Sequence, residues 1–289
     1  MRGIEQTDRQ RRVGALGVLL LLLGSFPANA NPFSDWLRSF FHPPEVEMKE
    51  AYAPRPEGPS FDHSLYDSLL REHVAEGGWV DYEGLDADRS RLQDYLDALA
   101  DAPFDALGRD EKLALLLNAY NAFTLELILD FGIPSSIRDI PSEKRWEAER
   151  WQVGPHTWSL DQIEHEQIRP KFVDARIHFA LVCAAVGCAP LRAEAYRADR
   201  VDAQLEDQTK TVHSKDAWFE LWEAKDVVRL TRYYEWYQGD FAQVAGGILE
   251  YAARHVPALE QRLDEGRRPR IEWIEYDWSL NSVENRRPR

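Results

Sequence analysis

Sulfur is scarce in this chain, with two cysteines and two methionines among 289 residues. Two thiols exclude a disulfide-dense scaffold and a multi-cysteine metal module. Positive charge is also in deficit. The chain carries 35 Lys and Arg against 50 Asp and Glu, a formal net charge of −15. Such a surface repels a phosphate backbone, so no nucleic acid is expected as a partner. Long apolar runs are missing apart from residues 13–23, which excludes a polytopic membrane protein. No internal repeat is found. What the chain does have is 44% hydrophobic residues, enough for a core and too many for a disordered acidic tail.

The apolar run at 13–23 reads as a targeting segment. Arg2, Arg9, Arg11 and Arg12 precede it, and Ala28-Asn29-Ala30 follows as an A-x-A cleavage pattern. The run is too short to span a bilayer, and no Cys follows it to carry a lipid. Residues 1–30 are therefore expected to be a cleaved signal peptide. The mature chain is expected to be exported, periplasmic or extracellular, with no stable membrane span. Residues 1–30 carry four Arg against one Glu and one Asp, so the remainder carries −17. In that compartment Cys183 and Cys188 are free to oxidise.

Residues 31–60 hold six prolines and no sustained period, which predicts a poorly ordered lead-in. A globular domain is expected over 61–283, with a short tail at 284–289. The pattern predicts helices over 64–76 and 88–100 and a buried helix over 110–131. It predicts a hairpin at 151–158, then a helix capped by Ser159 with Gln162 three residues on. The apolar stretch 174–186 reads as a buried helix with Asp174 as N-cap and Gly187 as terminator, or as a buried strand. Pro190 then suits the first residue of another helical turn. Residues 199–212 read as a polar helix, 227–230 and 271–276 as strands, and 241–255 as helical. The fold class is α+β, a mostly helical single domain around a small, mainly antiparallel sheet.

Several short motifs stand in order along this domain. They are Asn118-Ala119-Tyr120-Asn121-Ala122, Ile163-Glu164-His165 with Ile168-Arg169-Pro170, and Arg176-Ile177-His178-Phe179-Ala180-Leu181 followed by Cys183, Cys188 and Pro190-Leu191. Trp236-Tyr237 with Asp240-Phe241, and Tyr276-Asp277-Trp278-Ser279-Leu280-Asn281, complete the series. With these motifs the chain resembles the family called domain of unknown function 547, from about residue 61 to 283. That family name implies no activity, so the chemistry must come from the residues.

Glu164, His165, His178, Cys183 and Cys188 fall within 25 residues. One reading is a thiol-dependent hydrolase or acyl transferase of the cell envelope. Cys188 would attack, favoured over Cys183 by the helical turn expected at Pro190, whose orphan N–H groups would lower its pKa. His165 would take the proton, because His178 and Cys183 cannot face each other on either a helix or a strand. Asp161 or Glu164 would orient His165, and Asn118 or Asn121 would bind an oxyanion. The substrate would be a small molecule, a peptide or an envelope component, and no cofactor is expected. The alternative is a non-catalytic peptide- or glycan-binding scaffold. In it Cys183 and Cys188 form a structural disulfide or lie buried, the two Asn hold backbone, and Trp218, Trp222, Trp236, Trp273 and Trp278 line a groove or fill a core. A redox-active pair is a further reading, although C-x4-C differs from the usual C-x2-C. A metal held by His165, His178 and Cys188 is the last, and no ligand spacing supports it.

Overall fold

The computed structural model describes residues 43–287. The expected leader, the lead-in up to residue 42 and the last two residues lie outside the described residues. The rest of the lead-in departs from expectation. Residues 43–60 form no helix or strand, as their prolines dictate, yet they are pinned to the body. Lys49 N–H donates to Pro170 O, Ala51 N–H to Lys171 O, and Ala53 O accepts from Arg109 N–H.

Helix α1 (Ser64–His73) leads into a minimal antiparallel pair, β1 (Val74–Ala75) and β2 (Trp79–Val80). Helix α2 (Tyr82–Ala87) follows, then α3 (Arg89–Ala100), which buries Leu92, Tyr95, Leu96 and Leu99 on one face as their spacing predicts. Helix α4 (Arg109–Asp130) is the axis of the fold: every residue from Lys112 to Leu129 is buried. By length and composition it would cross a membrane, but 94% of its most apolar window is covered by protein. Each buried Leu on it contributes roughly 1.5–3 kcal/mol.

After α5 (Ser142–Arg145), β3 (Trp151–Val153) and β4 (His156–Trp158) form the expected hairpin. Both bonds of the Ser159–Gln162 capping box are made, and they open α6 (Leu160–Gln162). The helix then widens into a π-helical segment, Ile163–Ile168, whose end is marked by Arg169 N–H donating to Glu164 O five residues back.

Helix α7 (Val201–His213) precedes a three-stranded sheet of β5 (Phe219–Trp222), β6 (Val227–Leu230) and β7 (Arg270–Trp273). β5 runs antiparallel and β7 parallel to the central β6. Between β6 and β7 lie α8 (Tyr233–Trp236), α9 (Gln238–Ala245), α10 (Ile248–Ala253) and α11 (Pro257–Asp264). The result is α+β with a helical majority. One apolar cluster surrounds α4, and a second joins β6 to α8–α11 through Leu230, Tyr234, Phe241 and Leu259.

The largest departure is at 174–186. Asp174 does cap a turn, accepting from Arg176 N–H, but only a 3-10 segment, Ala175–Phe179, follows. From 180 to 200 there is no helix or strand, and no helical turn starts at Pro190. A buried irregular segment must still satisfy its peptide groups, and four buried side-chain amides do so. Asn121 Nδ2 donates to Ala180 O (3.0 Å) and its Oδ1 accepts from Val182 N–H (2.9 Å). Asn118 takes both peptide groups of Tyr196 (2.8 and 2.9 Å). Gln204 accepts from Arg197 N–H and donates to Ala195 O, while Gln208 Nε2 reaches Phe179 O and Pro190 O. These bonds offer the chain an alternative to a helix.

Replacing Asn121 with Ala leaves one buried donor and one buried acceptor unpaired. Asn121→Ala is expected to lower stability by roughly 2–4 kcal/mol in urea unfolding. A loss below about 1 kcal/mol would mean the loop holds itself.

Candidate functional site

The irregular segment folds back on itself between the two cysteines. Ala184 adopts a left-handed backbone (φ +59°), and Cys188 N–H donates to Ala185 O (3.1 Å), closing a turn. The turn is pressed against the C-terminal strand-like run. Asn281 N–H donates to Ala184 O, Val186 N–H to Ser279 O and Gly187 N–H to Asp277 O. A Cβ on Gly187 would stand 2.9 Å from both the Tyr276 ring and Asp277 N, so only glycine permits this approach.

The turn brings the two sulfurs to 2.7 Å, inside ordinary non-bonded contact, with both cysteines free thiols. Neither Cα separation along a helix nor a strand is involved, so the geometric obstacle to pairing that a single helix would impose is absent. Cys183 N–H donates to Cys188 Sγ (3.1 Å), and the Tyr276 hydroxyl lies 3.1 Å from one sulfur and 3.0 Å from the other. Tyr233 OH accepts from Ala189 N–H at 3.2 Å beside them. Trp218 Nε1 donates to Cys188 O (3.0 Å) from below. Cys188 is buried and Cys183 half-buried.

This setting splits the two thiols. Burial pushes Cys188 up, but the Cys183 thiol, the Tyr276 and Tyr233 hydroxyls and the backbone at Ala185 outweigh it, and Cys188 titrates below the ordinary thiol value. Cys183 is held well above that value, first by its bond to Cys188 and then by burial. A depressed Cys188 was expected, but from a helix terminus at Pro190. The cause is instead a set of side-chain and loop donors.

The imidazoles do not join the thiols. His165 Nδ1 accepts from Arg169 Nη1 (3.1 Å), with Glu164 Oε1 at 3.8 Å and Asp161 Oδ1 3.9 Å from Nε2. The expected proximity of Asp161 and Glu164 to His165 is therefore present, but no hydrogen bond links His165 to Cys188 among the described residues. His178 Nε2 donates to Asp240 Oδ2 (2.9 Å), and Arg169 forks onto the same carboxylate through Nε (2.8 Å) and Nη2 (3.0 Å). Arg169, Asp240 and His178 are almost wholly buried. Burial raises the Asp240 carboxyl, yet His178 and Arg169 hold it down at about 2. Burial lowers the His178 imidazole below its ordinary value, with Asp240 opposing it. His178 lies flat on Tyr237 (ring centroids 3.7 Å), whose hydroxyl donates to Glu164 Oε1 at 2.6 Å. His165, His178 and Cys188 thus point to different partners and do not converge as metal ligands. Among the described residues the one His/carboxylate group close enough to hold an ion is Glu72, His73 and Asp88. There Arg91 already supplies countercharge to Glu72 and Asp88, and His73 is hydrogen-bonded to Asp88.

Asn118 and Asn121 each give Nδ2 and Oδ1 to loop backbone, the placement expected of the scaffold reading. Of the tryptophans, Trp218 is a buried prop, while half-exposed Trp236 and Trp278 pack on Tyr276 at 4.8 and 4.7 Å. The sequence reading missed the roles of Tyr276, Tyr233, Asp240 and Arg169. Tyr276, Asp240 and Arg169 stood in the recognised motifs, but nothing local connected them to the thiols or to His178.

With this geometry in place, residues 104–211 match the family described as Protein of unknown function, DUF547. Over that stretch the chain carries a DUF547 domain. Comparison with curated proteins and with solved structures gives no match. The DUF547 match contains α4, both cysteines, Asp161, Glu164, His165 and His178. Tyr233, Asp240 and Tyr276 come from beyond it and complete the surroundings of the thiols and of His178.

Removing the Tyr276 hydroxyl takes a donor from the Cys188 thiolate. Thiolate absorbance against pH is expected to give a midpoint below the ordinary thiol value of about 8.5 for the native chain. In Tyr276→Phe the midpoint is expected to rise by roughly one unit. An unchanged midpoint would remove Tyr276 from the thiolate's support.

Proposed function

We propose that this DUF547 protein is an exported thiol–disulfide oxidoreductase whose Cys183–Cys188 pair gives up its disulfide to a dithiol substrate. The observation that carries this reading is the 2.7 Å contact between two thiols of opposite character. In the oxidised pair, a substrate thiolate attacks Cys183 Sγ, the more accessible sulfur. The S–S bond breaks, and Cys188 leaves as a thiolate stabilised by Tyr276 OH and the Cys183 N–H. A second substrate thiolate then attacks the substrate sulfur of the mixed disulfide. Cys183 departs and takes a proton. The substrate loses two electrons and gains a disulfide; the pair gains the two electrons. A separate disulfide-bearing partner must reoxidise it. A low-pKa leaving thiol speeds the first step and stabilises the reduced form, which makes the pair an oxidant. The exported location expected from the leader supplies the oxidising compartment this chemistry uses.

Acyl transfer by the same Cys188 thiolate has one supporting observation, its depressed pKa, but among the described residues no imidazole is hydrogen-bonded to Cys188 to protonate a leaving group. The Glu164–His165–Asp161 group would then belong to the scaffold.

The test is equilibration in glutathione buffers followed by acid quenching and mass measurement. The pair is expected to interconvert between forms about 2 Da apart, with a potential more oxidising than the roughly −270 mV of thioredoxin. In Cys188→Ser, Cys183 is expected to trap a mixed disulfide with a thiol substrate, whereas Cys183→Ser traps little. A pair that stays reduced in oxidised glutathione, or one that cannot be reduced at all, would sink the redox reading. In the second case the bridge is structural. A burst of product from an activated ester in the reduced chain alone would favour acyl transfer instead.

A further inference from the structure

On the far side of the Cys188 segment, a cleft of about 890 Å³ opens between the Gly77–Gly78 turn, the 190–194 loop and the end of α7. Its volume suits a small organic molecule rather than a bare ion. Gly78 (φ +75°) shapes it: a Cβ there would stand 2.4 Å from Leu191 N and 2.6 Å from Pro190 Cα, so the turn touches the loop backbone directly. Pro190, Leu191 and the Trp218 ring form an apolar wall.

The charge of the lining runs against that of the chain. In a protein of net charge −15, five cations line this cleft, Arg71, Arg192, Lys215, Arg286 and Arg287, against two carboxylates, Glu76 and Glu194. Part of this charge is neutralised in place. Arg71 pairs with Asp67 (2.7 Å), Arg192 with Glu194 (2.6 Å) and Asp207 (2.7 Å), and Arg287 with Asp277. Lys215 and Arg286 are not. Among the described residues no carboxylate oxygen lies within 4.0 Å of either. Two unneutralised cations over an apolar wall outnumber the one unpaired carboxylate of the lining, Glu76, and inside a concave surface that focuses their field they favour an anionic guest with an organic body.

We infer that this cleft binds a small organic oxyanion, a carboxylate or phosphate ester, with its anionic end at Lys215 and Arg286 and its body against Pro190 and Leu191. The site is separate from the thiol pair and stands or falls without it. It shares only the loop: Trp218 carries the Cys188 carbonyl on one side and walls the cleft on the other.

Isothermal titration of the full chain with citrate and with pyrophosphate tests this, with glycerol as the neutral control. Binding of one equivalent of either trianion is expected at low salt, weakening at about 0.3 M NaCl. Binding of citrate alone assigns carboxylate, of pyrophosphate alone phosphate, and of both a charge-selective site; each supports the inference. Lys215→Glu changes an exposed side chain outside the core, and it is expected to weaken binding by at least about tenfold. Lys215→Glu combined with Arg286→Glu is expected to abolish it. Failure of both trianions to bind, or equal binding by the doubly reversed variant with an unchanged unfolding midpoint, would overturn the inference.

Discussion

Everything around the thiols depends on one requirement: peptide groups withdrawn from water must find partners. The segment from 180 to 200 is largely buried and has no ladder of its own. Asn118 and Asn121 on α4, with Gln204 and Gln208 on α7, take the place of that ladder. A carboxamide sets N–H donors beside a carbonyl acceptor, as a peptide group does, so each can replace a missing backbone neighbour without adding charge. Two helices thereby fix an irregular loop as firmly as a sheet would. The loop in turn fixes the sulfurs.

A second buried device secures the other flank. Arg169, at the end of the π-helical segment, and His178, in the 3-10 turn, meet on Asp240 of α9. This joins the α4 core to the core of the three-stranded sheet. Buried ion pairs are not strong stabilisers in themselves, but removing one partner strands the other, typically at 3–5 kcal/mol. The brace makes His178 a structural residue. Its hydrogen bond and its stacking on Tyr237 account for a histidine that, from spacing alone, looked available for catalysis.

What was legible in the sequence was what is decided locally. The α+β class, the axis helix, the 151–158 hairpin and the Ser159 capping box rest on periodicity, turn residues and i,i+3 chemistry, and all are present. The 174–186 stretch is apolar and rich in alanine and has no breaker before Gly187, so a helix was the natural reading. What prevents one is supplied from far away: Asn121 lies 59 residues from Ala180, and Asn118 lies 78 from Tyr196. The same holds for the site. Cys183 and Cys188 were visible as a pair, but Tyr276 is 88 residues from Cys188. His178 is nearer in sequence, but its spacing from Cys183 turned the choice to His165 on another element. The helical neighbour of His165, Arg169, four residues on, claims its Nδ1 instead.

The wide turn at Ile163–Ile168 has a bearing on which lengths of this chain are viable. An α-helix advances about 100° per residue, and the π segment accommodates one extra residue within a turn. Deleting that residue would restore the ordinary winding and swing Arg169 away from Asp240 by roughly a quarter of a circle. Side-chain exchanges along the segment leave this phase untouched, whereas a single-codon deletion would not. The stretch between the Ser159 cap and Pro170 is therefore constrained in count as well as in composition.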